Sequence, residues 1–275
     1  MRCAWKELLS ILPVWMREEV DTLGKDNLQE LRLRVNAPPE LVMGSGNWLL
    51  SENVRRDDLH FCINAASRYS PWAAESCAKG YLTAAGGHRI GICGDAVLRD
   101  GIFSGFREIR SLCIRVARDI PGIGGAAEPD WGSVLILGAP GWGKTTLLRD
   151  VCRTLSERKN VAVVDERGEL FPEGFAFGRR MDVLSGCPKE IGLEMVLRTM
   201  GPDYIAVDEI TAEADSRALV RAFGCGVELL ATAHAASIQD LYNRKAYRPF
   251  VEAGVFQTVL VLNRDRFYRM ERMER

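Results

Sequence analysis

Residues 133–157 read S-V-L-I-L-G-A-P-G-W-G-K-T-T-L-L-R-D-V-C-R-T-L-S-E. A short β-rich segment, Ser133–Leu137, leads into the glycine loop Gly138-Ala139-Pro140-Gly141-Trp142-Gly143-Lys144-Thr145. The residues that follow place Leu147, Leu148, Val151 and Leu155 at helical spacing. Strand, glycine loop and helix in this order aim backbone N–H groups at an anion, on the positive end of the helix dipole. The spacing is that of a phosphate-binding loop. Lys144 is expected to reach the β- and γ-phosphates, and the Thr145 hydroxyl to ligate Mg²⁺. The expected contacts to ATP run from Gly138 to Thr146.

Downstream, apolar runs at Val161–Val164, Ile205–Val207, Leu229–Thr232 and Val259–Leu262 alternate with helical patterns at Glu190–Met200 and Ser216–Phe223. Such alternation predicts an α/β domain, a parallel sheet covered by helices. Upstream the pattern changes. Trp5–Val20 has helical spacing interrupted by Pro13, and Glu30–Val35 alternates as a half-buried strand does. Leu41–Met43 and Trp48–Leu50 flank a turn-forming Gly44–Asn47, and Asp57–Ser67 is a helix candidate. Tyr81–Ala84, His88–Cys93 and Ala96–Leu98 read as short strands joined at Gly86-Gly87 and Gly94-Asp95, with Leu112–Ala117 as a last strand. Between the halves, residues 119–131 carry three glycines and two prolines without apolar period, the composition of a linker. The expected division is an α+β domain at 1–118, a linker at 119–131 and an ATPase domain at 132–275.

Composition limits the remaining readings. The 275 residues carry a formal net charge of −1, which gives no global pull toward nucleic acid or anionic membranes. No apolar run approaches the roughly 20 residues of a membrane span, and charges break up the N-terminal apolar residues where a signal peptide would stand. The eight cysteines (3, 62, 77, 93, 113, 152, 187, 225) form no C-x-x-C pair, and none has a histidine at zinc-ligand spacing. Reduced thiols and a cytoplasmic location are expected.

A phosphate loop alone neither activates water nor completes a metal site. Tyr204–Glu209 (Y-I-A-V-D-E) supplies a buried strand ending in two carboxylates. Asp208 is expected to hold the Mg²⁺ hydration shell, and Glu209 to polarise water for in-line attack on the γ-phosphate. Val163–Arg167 (V-V-D-E-R) ends another strand similarly. Strand C-termini converge on the ligand crevice in open α/β sheets, so Glu166 is a second candidate for positioning water or metal. Its ordinary alternative is a loop ion pair with Arg167. His234, after the run Ala231–Ala233, stands where an imidazole could sense the γ-phosphate; the alternative is a surface histidine.

The order of these pieces carries a resemblance. Residues 199–210, T-M-G-P-D-Y-I-A-V-D-E-I, resemble the P-D-h-h-h-h-x-E segment of secretion and pilus-retraction ATPases. Val164–Glu166 resembles their aspartate box, Thr232–His234 their histidine box, and Leu31–Pro39 the first strand of their N-terminal domain. Within that superfamily, R-V-N-x-P-P, the G-x-R-I-G-x-x-G of residues 87–94 and V-D-E-R-G-E-L at Val164–Leu170 resemble the stage III sporulation protein AA family. Two departures are visible. The histidine box is shorter and less threonine-rich than in the broader superfamily, and the four-cysteine zinc module of some members is missing.

The resemblance implies a RecA-like P-loop core and a hexameric, cytoplasmic ATPase. It further implies docking under a transenvelope channel complex at the membrane around a developing spore. In a ring, an arginine supplied by a neighbouring subunit would face the γ-phosphate. Arg107, Arg110, Arg115 and Arg118 recur along Phe106–Arg118, with Arg110 and Arg115 the candidates; their ordinary alternative is pairing with Glu108 and Asp119. Two other functions share the core: a nucleic-acid-stimulated motor, and an ATP-gated scaffold with little turnover. The near-zero net charge speaks against the first, and Lys144, Asp208 and Glu209 together against the second.

Overall fold

The computed structural model describes residues 3–67, 80–123, 131–172, 174–265 and 267–273. Cys77 and residues 124–130 of the expected linker lie outside them. The chain forms two compact units. One comprises Met1–Asp119 with Pro172–Phe175, the other Ile120–Phe171 with Ala176–Arg275. The excursion of Pro172–Phe175 into the first unit has no counterpart in the expected single division near residue 119.

In the first unit, α1 (Trp5–Ser10) and α2 (Val14–Gly24) are separated by the break expected at Pro13. With α3 (Arg56–Ala66) they cover one face of a six-stranded sheet of order β3-β2-β1-β6-β5-β4. Its strands are β1 (Leu28–Arg34), β2 (Glu40–Met43), β3 (Gly46–Leu49), β4 (Tyr81–Thr83), β5 (Arg89–Arg99) and β6 (Ile102–Arg115). Leu31, Leu33, Ile90, Leu112 and Ile114 point into the core, while Arg32 and Arg34 between them stay exposed, the period-2 alternation of a sheet with one wet face. Gly94-Asp95 is no turn. β5 runs through it, and register shifts at Cys93/Gly94 and Asp95/Ala96 bend the strand without ending it. The hairpin instead closes at Asp100-Gly101, whose φ values of +52° and +76° suit a two-residue turn.

The second unit is a seven-stranded sheet, β13-β12-β7-β11-β10-β8-β9. Its strands are β7 (Val134–Leu137), β8 (Val161–Asp165), β9 (Met181–Ser185), β10 (Tyr204–Ile210), β11 (Glu228–Ala233), β12 (Thr258–Leu262) and β13 (Tyr268–Arg272). All neighbours are parallel except the β12–β13 edge pair. β7, β8 and β12 are buried at every position, as strands covered on both faces must be. Helix α4 (Lys144–Ser156) packs Leu147, Leu148, Val151 and Leu155 on one face. On the other lie α5 (Lys189–Met200), α6 (Glu213–Phe223), α7 (Ile238–Asn243) and α8 (Arg248–Glu252). The fold is thus the α/β class read from the alternation. Strands β9 and β13 were not legible as apolar runs because Asp182, Arg269, Glu271 and Arg272 interrupt them at the sheet edges.

Candidate nucleotide site

The glycine loop leaves β7 and enters α4. Gly141 and Gly143 take φ values of +77° and +96°, a region any side chain resists, so the loop closes only with glycine at these points. Lys144 begins the helix and is 7% exposed. Its ammonium donates to the Ala139 carbonyl at 3.1 Å and approaches His234 Nδ1 at 3.0 Å. Burial pushes its pKa down, partly opposed by the charges of Glu209 and Asp208. A buried cation at the mouth of a helix N-terminus is the donor set an oligophosphate requires.

β8, β10 and β11 end beside this loop, and their tips bring the sequence candidates together. Thr145 Oγ1 donates to Asp208 Oδ2 at 2.9 Å. Asp208 Oδ1 accepts from Thr232 Oγ1 at 2.7 Å and from the Glu209 N–H at 3.0 Å. Thr232 is fully buried and its hydroxyl also accepts from Glu209 N–H at 2.9 Å. One hydroxyl therefore fixes the Asp208 carboxylate and the backbone of the next residue. Glu209 takes φ +39°, a strained conformation for a side-chain-bearing residue, and a register shift between Val207 and Ile210 marks the same point. The strain turns consecutive carboxylates to different tasks: Asp208 toward Thr145, Glu209 toward His234 Nε2 at 2.9 Å and Arg167 at 3.4 Å. A neutral His234 ring with its proton on Nε2 satisfies both contacts, donating to Glu209 and accepting from Lys144. Tyr247, buried beside it, receives a hydrogen bond from the His234 N–H at 3.2 Å and holds the backbone from which the imidazole projects.

The β8 tip divides its labour differently. Asp165 is buried, and its carboxylate accepts from the N–H groups of Glu169, Leu170 and Phe171. Burial raises its pKa while those three donors oppose the rise, so Asp165 pins the turn after β8. Glu166 points elsewhere. Its partner is Lys189 at 2.5 Å, not the neighbouring Arg167, which serves Glu209. The arginine candidates belong to the first unit. Arg110 pairs with Asp95 at 2.9 Å and Arg115 approaches Glu30 at 3.5 Å, both guanidinium groups well exposed. These partners differ from Glu108 and Asp119 because neighbouring strands of the sheet, rather than neighbours in sequence, supply them.

The residues fit the ligands their types imply. Mg²⁺ takes hard oxygen donors, few of them from protein, and Thr145 with Asp208 supply a hydroxyl and a carboxylate at one point. Among the described residues no group of three or more His, Cys, Asp or Glu side chains could hold a metal by itself. Among them, too, no helix is long and apolar enough to cross a membrane. Sequence reading did not assign Thr232, Tyr247 or Lys189. Thr232 was signalled by its place in the A-T-A-H segment. Tyr247 and Lys189 carried no signal, since their roles arise from tertiary contacts alone.

With this geometry in hand, known proteins give a consistent comparison. The sequence model of the family described as "Sporulation stage III, protein AA" matches residues 5–268. Stage III sporulation protein AA of Bacillus subtilis (strain 168) is 36% identical over 282 aligned residues, covering 94% of this chain and 91% of that protein. Among solved structures, the Legionella pneumophila ATPase DotB superposes with a TM-score of 0.61 at 17% identity, covering 95% of this chain and 80% of its own. The pilus retraction motor PilT, solved with bound ADP, gives the same TM-score at 15% identity over 91% of this chain and 78% of its own. The fold is therefore that of the RecA-like secretion and pilus ATPases.

Proposed function

The chain belongs to the stage III sporulation protein AA family, and from that membership and the strand-tip geometry we propose that it hydrolyses Mg-ATP as a ring-forming ATPase. The hydrolysis energises assembly of, or transport through, a transenvelope channel during endospore formation. The observation that carries the reading is the junction at β10. Thr145 and Asp208 meet at 2.9 Å on the loop side, while Glu209, one residue on, is turned away and held by His234 and Arg167. A scaffold that only binds nucleotide needs the first half of this arrangement and not the second.

In this reading Lys144 and the loop N–H groups bind the phosphates, which draws Lys144 away from His234. Thr145 and Asp208 would hold Mg²⁺ here, and the bound ion would supply neutralisation of charge on the phosphate oxygens. Glu209 takes a proton from water, the water oxygen bonds to the γ-phosphorus, and the β–γ bridging bond breaks with its electron pair leaving on ADP. His234 keeps Glu209 oriented and exchanges its Lys144 contact for the γ-phosphate. Arg110 or Arg115 of a neighbouring copy completes the site. The protein acts from the cytoplasm on membrane-embedded partners and reads no nucleic-acid sequence.

Two variants test this directly. Glu209→Gln should retain ATP affinity and hydrolyse about 100-fold more slowly or worse, the scale of a lost general base. Lys144→Ala should lose binding itself. Tight ATP binding by Lys144→Ala in an equilibrium titration, or unimpaired turnover by Glu209→Gln, would falsify the assignment.

A further inference from the structure

Between the tips of β8 and β10 lies a cavity of about 10 Å³, whose lining includes Glu166, Arg167, Glu169, Lys189, Asp208 and Glu209. It has room for about one water molecule, and a water held there needs two or more polar partners. Two ion pairs flank it. Arg167 pairs with Glu209, and Lys189 with Glu166. Lys189 is the unexpected member. Its side chain is only 7% exposed, against 37% for Glu166, so the cation is the desolvated partner. It also opens α5, where the helix dipole disfavours a positive charge. Neither helix stability nor the ion pair's own energy accounts for a lysine there, because a pair with one partner exposed contributes little. The geometry does: with Nζ 2.5 Å from Oε2, Lys189 fixes the Glu166 carboxylate on the wall of the cavity that Glu209 also lines.

We infer that Lys189 is a positioning residue for hydrolysis: it holds Glu166 as the second acceptor for the water whose other proton passes to Glu209. The inference rests on the ATPase reading above. Water donating one hydrogen to each carboxylate has its oxygen lone pair fixed in direction. The Glu209-bound hydrogen is the one transferred, and the Glu166-bound hydrogen stays on the oxygen that joins phosphorus. Lys189 lines the cavity but takes no proton and meets no phosphate in this scheme; it acts through Glu166.

The test is a double-mutant cycle on the full chain with Lys189→Met, Glu166→Gln and the pair, alongside Lys189→Arg and Glu209→Gln. Turnover, KM and nucleotide-free Tm are measured for each. Lys189→Met should lower kcat about 10- to 100-fold, the worth of one hydrogen bond to a charged group, with KM within about twofold. Lys189→Arg should recover part of that loss. The double variant should turn over no more slowly than Glu166→Gln alone. Without nucleotide, Lys189→Met should lower Tm, and adding Glu166→Gln should restore it, showing that the two side chains are coupled in the protein itself. Wild-type kcat in Lys189→Met, multiplying losses in the double variant, or additive Tm changes would each overturn the inference. Should Glu209→Gln hydrolyse ATP normally, or the wild-type chain not hydrolyse it, the ATPase reading falls and takes this inference with it.

Discussion

His88 shows how one side chain ties pH to the first unit. It is fully buried, its Nε2 lies 2.9 Å from the Ala4 carbonyl, and its Nδ1 accepts from the Ala117 N–H at 3.2 Å. Only the neutral ring with its proton on Nε2 meets both partners, since a second proton on Nδ1 would face another donor. Burial lowers its pKa from 6.5, opposed in part by the Ala4 carbonyl and Glu7. The unfolded chain restores the ordinary value, so between the folded pKa and about 6.5 the unfolded state binds more protons, and stability falls as pH drops through that window. Tm of the wild-type chain should therefore fall below pH 6.5 more steeply than that of His88→Gln. Parallel Tm–pH curves for the two would refute the link. In the sequence His88 was only the start of a strand; a ring's hydrogen bonds to residues 84 and 29 positions away leave no local trace.

Helix α5 shows the same limit at the scale of an element. Its apolar spacing was readable, and its observed start at Lys189 lies one residue from the expected one. What the pattern did not reveal is how closely it packs. A Cβ added at Gly192 would stand 2.4 Å from Val164 Cγ1, inside any real contact distance, so glycine sets the distance between α5 and β8. Gly192→Ala should force the helix outward at an overpacking cost of about 1–3 kcal/mol, lowering Tm by about 5 °C. Thermal denaturation decides it, and an unchanged Tm would mean the helix tolerates the displacement. The site divides along the same line. The loop, Asp208, Glu209, Glu166 and His234 were legible because strand tips followed by acidic or imidazole side chains recur in a parallel sheet. Lys189 and Tyr247 were not, because α5 and the segment before α8 bring them to those tips by packing rather than by motif.

For the whole molecule, the proposed ring leaves each nucleotide site incomplete without a neighbour. Arg110 and Arg115, both exposed on the first unit, are the candidates to complete it. ATPase rate per subunit should then rise with protein concentration. An inactive Arg110→Ala or Arg115→Ala chain should regain activity on mixing with Glu209→Gln, through the complete sites that mixed rings rebuild. A rate per subunit that stays flat down to a demonstrably monomeric protein would rule the shared site out. The strand order has a kinetic consequence as well. β7, which leads into the glycine loop, pairs with β11 and β12 and with none of the strands nearer in sequence; Val134 meets Leu230 on one side and Thr258 on the other. Both partners lie far along the chain, so closing the long loops between them is entropically costly and slow. Helices such as α4 form from local contacts and need not wait. During refolding, far-ultraviolet helical signal should return before the chain can capture a fluorescent ATP analogue, with the delay set by the arrival of residues 228–262 at the middle of the sheet. On the proposed function, nucleotide capture would then report a late step of assembly, and a partly folded chain would not hydrolyse ATP.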